Sequence, residues 1–171
     1  GLPADYFFNG KQMLFTADQL LETALWHYMP IKSDIEQGIY ACGEHADWNF
    51  LSILATDDNQ GLQVRVDDIW YDMEYKPDML IINSGNMARV MSNGYYKSSY
   101  HRVILNQAKD RYSIVYFISP NYEWILNCVG KVCNDDLESS QYAVDMKLNA
   151  GQYLSKMYHI HTRGYELKIE L

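Results

Sequence analysis

The chain has 171 residues, 48% of them hydrophobic and 21% charged, which excludes a disordered polymer and allows a core that needs no disulfide staples. Fourteen basic against 22 acidic side chains leave a net charge of −8, which argues against a sequence-independent grip on nucleic-acid phosphates and against binding to anionic membranes. The longest apolar runs, such as Ile114–Ile118, are strand-sized, no charged leader followed by an apolar segment opens the chain, and it begins on Gly1 rather than Met, as a fragment would.

In chain order, Thr16 is the N-cap of a predicted helix over about 16–27, in which Leu20, Leu21, Ala24 and Leu25 fall on neighbouring turns. Pro30 pulls the end of that segment, Leu25 to Tyr28, toward an extended backbone. From there the period changes. Gly38–Gly43, Phe50–Thr56, Gly61–Val66, Trp70–Met73, Met79–Asn83, Ser99–Leu105 and Arg111–Ser119 are short β-branched or aromatic runs, separated by turn material such as Lys76-Pro77-Asp78. Asn93-Gly94 is a hairpin signal. A second helix is predicted over Ala150–Met157. Many short strands between turns predict one mainly β domain over 1–171, an antiparallel sandwich or barrel with helical flanks at about 16–27 and 150–157. Cys42, Cys128 and Cys133 are an odd number, and the last two lack the second pair that a zinc site needs; reduced thiols and a cytoplasmic location are expected.

Three places carry candidate chemistry. In His45-Ala46-Asp47, residues two apart in a strand share a face, so imidazole and carboxylate can converge on one ion, although a lone His-x-Asp is common by chance. His101 heads a later β-rich run; taken alone, it reads better as a packed core histidine with both ring nitrogens satisfied. Two His and one Asp on different strands are the ligand set of mononuclear non-haem iron(II), with positions left open for oxygen and a cosubstrate. Arg111-Tyr112-Ser113 opens a strand in which Arg111, Ser113, Val115 and Phe117 share one face. A guanidinium fork with a hydroxyl two residues on matches a carboxylate; the alternative is an edge-strand arginine paired with one of the chain's own acids.

The order of these pieces, His-x-Asp, then His-Arg after some fifty residues of strands and turns, then Arg-x-Ser, resembles the iron(II)/2-oxoglutarate-dependent oxygenases of the isopenicillin N synthase-like branch. The resemblance extends through the Gly-Leu-Gln-Val continuation of Gly43–Val66, through Asp78–Val103 with its Ser-x-x-His-Arg, through Asp110–Asn121 and into Ala143–Met157. It implies a double-stranded β-helix (a cupin-like jelly roll) in which His45, Asp47 and His101 hold Fe(II), while Arg111 and Ser113 hold the distal carboxylate of 2-oxoglutarate. It implies Tyr28 at the cosubstrate site, although the branch's tyrosine directly precedes a proline and here Met29 intervenes; Phe117 and Trp48 are implied at the substrate pocket. The implied activity is hydroxylation or desaturation of a small molecule with O2, releasing succinate and CO2. Two alternatives stay open: an oxidase of the same branch that places a substrate carboxylate on Arg111, and a binding or sensor domain without turnover. Asn86 replaces the branch's usual Asp after Gly and reads as a turn residue; His159-Ile160-His161 lies beyond the matched helix and reads as a solvated tail. Relatives carry a long N-terminal portion, which this chain is expected to lack.

Overall fold

The computed structural model describes residues 2–7, 19–106, 109–130, 133 and 145–169; the N-cap expected at Thr16 lies outside them. Among the described residues, eight strands form two antiparallel sheets. One has the order β1-β8-β3-β6, from Gln19–Tyr28, Arg111–Asn121, Leu51–Thr56 and Ile81–Ser84. The other has the order β2-β7-β4-β5, from Cys42–His45, His101–Val103, Leu62–Val66 and Ile69–Asp72. The mainly β architecture predicted from the turn spacing is therefore present, as a double-stranded β-helix with most strand positions within a few residues of the expected ones.

The helix expected over 16–27 is instead the edge strand β1. Its Leu and Ala positions suit helix and strand alike, and the eleven-residue β8 decides between them: β1 pairs with it from Gln19↔Asn121 to Tyr28↔Arg111. Propensity is a weak prior when a long partner strand offers a full ladder of backbone hydrogen bonds. The expected Asn93-Gly94 hairpin is corrected as well. Both residues do adopt positive φ, but they end a six-residue helix, α1 (Asn86–Met91), that the periodicity did not announce. Asn93 N–H donates to the Val90 carbonyl and Gly94 N–H to the Arg89 carbonyl, the paired closure of a Schellman motif, which asparagine and glycine tolerate in the left-handed region.

Helix α2 (Ala150–Ile169) begins where Ala150–Met157 was predicted and runs further, so His159 and His161 lie within a helix and not in a tail. Its start is seated by Gly151, where a Cβ would overlap the Tyr122 ring. α1 and α2 share a core of Met87, Val90, Met91, Leu126, Ala150 and Tyr153. Burial, with Asp145 nearby, pushes the Tyr153 phenol up to about 12. A smaller apolar cluster, Leu62, Val103 and Leu105, closes part of the space between the sheets, and the remainder is a cavity. Cys128 and Cys133 are joined in a disulfide, contrary to the expected reduced thiols; five residues apart in sequence, they are close enough to bridge within one loop. Cys42 is free. Among the described residues, no helix is long and apolar enough to cross a membrane.

Candidate metal centre and carboxylate pocket

Strand register sets the geometry of the cavity. On β8, Arg111, Ser113 and Val115 are buried while Tyr112 and Ile114 are exposed, the period-two alternation expected of a strand with one face inward. Cross-strand pairing then lines up rows on one face of the sheet. Glu22, Phe117, Ser52 and Asn83 form one row across the sheet, and Trp26, Ser113 and Thr56 form another nearer the Tyr28–Arg111 pair. The opposite sheet brings His45 and His101 together as direct partners of β2 and β7.

His45, Asp47 and His101 converge. Their ligand atoms lie within 4.8 Å of one another, and this is the one such metal-type group among the described residues. Asp47 Oδ1 is 3.8 Å from His45 Nε2 and 3.6 Å from His101 Nε2. Asp47 lies just past the end of β2, and its carbonyl is held at 2.8 Å by the backbone N–H of Asn86, the first residue of α1. Asn86 is thus structural, as read from the sequence, but it opens a helix. Each imidazole is oriented through its other nitrogen: Nδ1 of His45 donates to the Gly43 carbonyl at 2.9 Å, and Nδ1 of His101 to the Ser99 carbonyl at 3.0 Å. Those bonds place the ring protons on Nδ1 and leave both Nε2 lone pairs for a metal. Burial acts to lower the His45 pKa, but the Cys42 sulfur at 3.8 Å and the Gly43 carbonyl outweigh it, so the ring titrates above the ordinary histidine value. Two neutral imidazole nitrogens and one carboxylate oxygen on one side of a point fit a first-row divalent ion such as Fe(II) with coordination positions left open.

The cavity holding this group has a volume of about 280 Å3 and also takes in Tyr28, Arg111, Ser113 and Phe117. Arg111 is only 1% exposed and forms no ion pair with a carboxylate among the described residues. Its Nη1 reaches Ser113 Oγ at 3.5 Å, its Nε is buried without a hydrogen-bond partner, and its Cζ lies 5.1 Å from the Tyr28 ring centroid. Burial, with Cys42 nearby, raises the Tyr28 phenol pKa despite the opposing Arg111 charge, which keeps the phenol protonated beside the guanidinium. A buried guanidinium with an unused donor in a cavity is a site for an anion.

Trp48 does not line this cavity. Its ring packs edge-on against Tyr158 at 5.1 Å and against His161 at 5.6 Å, fastening α2 to the segment after the metal ligands. Among the cavity or near-cavity residues that the sequence did not single out are Trp26, Cys42, Ser52 and Asn83. The one signal for Asn83 and Ser52 was a polar residue interrupting an otherwise apolar strand.

Comparison with known proteins agrees with this geometry. A family model for the 2OG-Fe(II) oxygenase superfamily matches residues 22–120. The chain is 34% identical over 131 residues to a flavonol synthase/flavanone 3-hydroxylase of Petunia hybrida, covering 74% of this chain and 37% of the relative. It is 40% identical over 90 residues to gibberellin 2-beta-dioxygenase 8 of Arabidopsis thaliana, covering 53% of this chain and 27% of the relative. A full-length Neurospora crassa protein, crystallised in complex with alpha-KG and thymine, superposes with a TM-score of 0.68 at 26% identity, covering 81% of this chain and 44% of that one. The chain therefore spans less than half the length of each of these proteins. With the facing sheets, the His-Asp-His group and the buried arginine in place, the family match makes this chain a member of the 2OG-Fe(II) oxygenase superfamily.

Proposed function

We propose that residues 1–171 form one oxygenase domain that binds Fe(II) through His45, Asp47 and His101 and 2-oxoglutarate through Arg111, Ser113 and Tyr28, and that it hydroxylates or desaturates a small organic molecule with release of succinate and CO2. The observation that carries the reading is Arg111: a guanidinium 1% exposed, without a carboxylate partner among the described residues, facing the cavity that holds the metal-type group. An uncompensated buried charge is costly, and a dianionic cosubstrate supplies the missing partner. The chemistry that ferrous iron supplies is the coupling of 2-oxoglutarate decarboxylation to oxidation of a substrate C–H bond.

The chain's own groups do the rest. Gly43 and Ser99 carbonyls hold the two rings with Nε2 free for the metal. Arg111 and the Ser113 hydroxyl take a carboxylate, and the protonated Tyr28 stands beside them as a further donor. Val103, Val115 and Leu54 line the cavity and keep water from competing with these bonds, while Phe117 offers the substrate an apolar contact. The partner proposed is a small molecule, with no nucleic acid or membrane, in keeping with the net charge of −8. The compartment proposed is the cytoplasm, where iron stays ferrous, and the Cys128–Cys133 disulfide is the one observation that counts against it.

Anaerobic titration of the chain with Fe(II) and then 2-oxoglutarate tests the proposal. A weak visible charge-transfer band that requires both additions, followed by succinate formation in air, is expected. Oxygen uptake without 2-oxoglutarate, or binding without any oxygen uptake, would replace the reading with the oxidase or the sensor domain.

A further inference from the structure

Asp47 presents its two carboxylate oxygens to different surroundings. Oδ1 faces the two imidazole Nε2 atoms, whereas Oδ2 accepts the Ser52 hydroxyl at 2.5 Å and the Asn83 side-chain amide at 2.9 Å. Ser52 is 1% exposed and is itself oriented. The Asn49 amide nitrogen donates to Ser52 Oγ at 3.1 Å and to the Leu51 carbonyl at 2.6 Å, which uses both of its hydrogens. Asn49 Oδ1 also lies 3.2 Å from Ser52 Oγ, but one hydroxyl carries one proton, and the shorter, charge-assisted bond to Asp47 takes it. The arrangement is built into the fold. Ser52 and Asn83 are register partners on β3 and β6, and Asn49 is packed against Gly85, where a Cβ would overlap the Asn49 carbonyl oxygen.

We infer that Ser52 and Asn83 are positioning residues for the metal ligand Asp47: they occupy Oδ2 so that the carboxylate meets the ion through Oδ1 alone. A carboxylate free to rotate can chelate through both oxygens and take up a second coordination position. With Oδ2 carrying two hydrogen bonds, chelation requires breaking them, so Asp47 uses one position and three remain open on a six-coordinate ion. Asn49 acts one step further out by setting the direction of the Ser52 proton. This inference rests on the metal-binding reading above, and it names groups that touch the ligand and not the ion.

The test is a titration of the full chain with Co(II), a spectroscopic stand-in for Fe(II), read by its ligand-field bands and requiring no turnover. Ser52→Thr and Ser52→Val differ only by the hydroxyl and are both at ease in a strand. Thr is expected to bind like the parent, and Val to bind about 10- to 100-fold more weakly with a changed band pattern, as does Asn83→Ala. Equal affinity and identical bands for the Thr and Val proteins overturn the inference. If neither folds, Asn83→Ala decides alone: weaker binding with altered bands supports it, and parent-like binding overturns it. A parent chain that binds no Co(II) defeats the metal-binding reading itself, an outcome distinct from a parent that binds and variants that match it.

Discussion

The space between the two sheets and the core beneath the two helices are both buried, yet they are built from opposite materials. Under α1 and α2, Met87, Val90, Met91, Leu126 and Ala150 are almost fully covered, and the cluster is nearly all apolar. Between the sheets, buried Arg111, Ser113, Asp47 and Ser52 sit around a cavity of about 280 Å3, and one guanidinium nitrogen is left without a partner. The helical core gains its stability chiefly from apolar packing. The inter-sheet space gives up stability to keep donors, acceptors and volume available, which a ligand can complete.

That contrast can be broken in graded ways. The largest effect is expected from His101→Ala, which removes one of three ligands and should abolish Co(II) binding by titration while the circular dichroism spectrum stays that of the parent. Next is Arg111→Leu. Loss of a buried charged partner is worth about 2–5 kcal/mol, so 2-oxoglutarate affinity by calorimetry should fall at least thirtyfold. The ligand-free variant should melt no lower than the parent, because it no longer buries an uncompensated charge. Leu126→Ala should do the reverse: a loss of about 2–5 kcal/mol in denaturant unfolding, with metal affinity unchanged wherever the protein remains folded. A finer probe is pH. Since the His45 ring titrates above the ordinary histidine value, a proton competes with the metal for its Nε2 at a higher pH than at an ordinary histidine, and Co(II) affinity should fall by up to about tenfold per unit once the pH drops below the ring's own pKa. The smallest effect is expected from Phe117→Ala. It should leave metal and 2-oxoglutarate affinities near those of the parent and act on substrate-dependent oxygen uptake.

The polar side of this contrast was the easier to find in the sequence. His45, Asp47, His101, Arg111 and Ser113 stand at spacings that survive as a motif, and the structure brings all five to one cavity. Phe117 followed from alternation along β8. Trp48 did not, because it lies outside the strands, where period-two reasoning gives no direction, and α2 claims its ring. Ser52 and Asn83 were invisible as a pair: they are thirty-one residues apart in sequence and meet only through the β3–β6 register. The expected helix at 16–27 failed for a related reason, since apolar spacing cannot report the presence of a partner as long as β8.

Alternation of side chains, turn residues and ligand types are properties of short stretches of chain. Strand content, the metal-type group and the arginine that the cavity buries were therefore written in the amino-acid order. Which segments pair, which edge β1 takes, and which oxygen of Asp47 is left for a metal depend on contacts between residues far apart in sequence. Backbone register and buried hydrogen bonds settle those only when the two sheets come together, and so they belong to the tertiary structure.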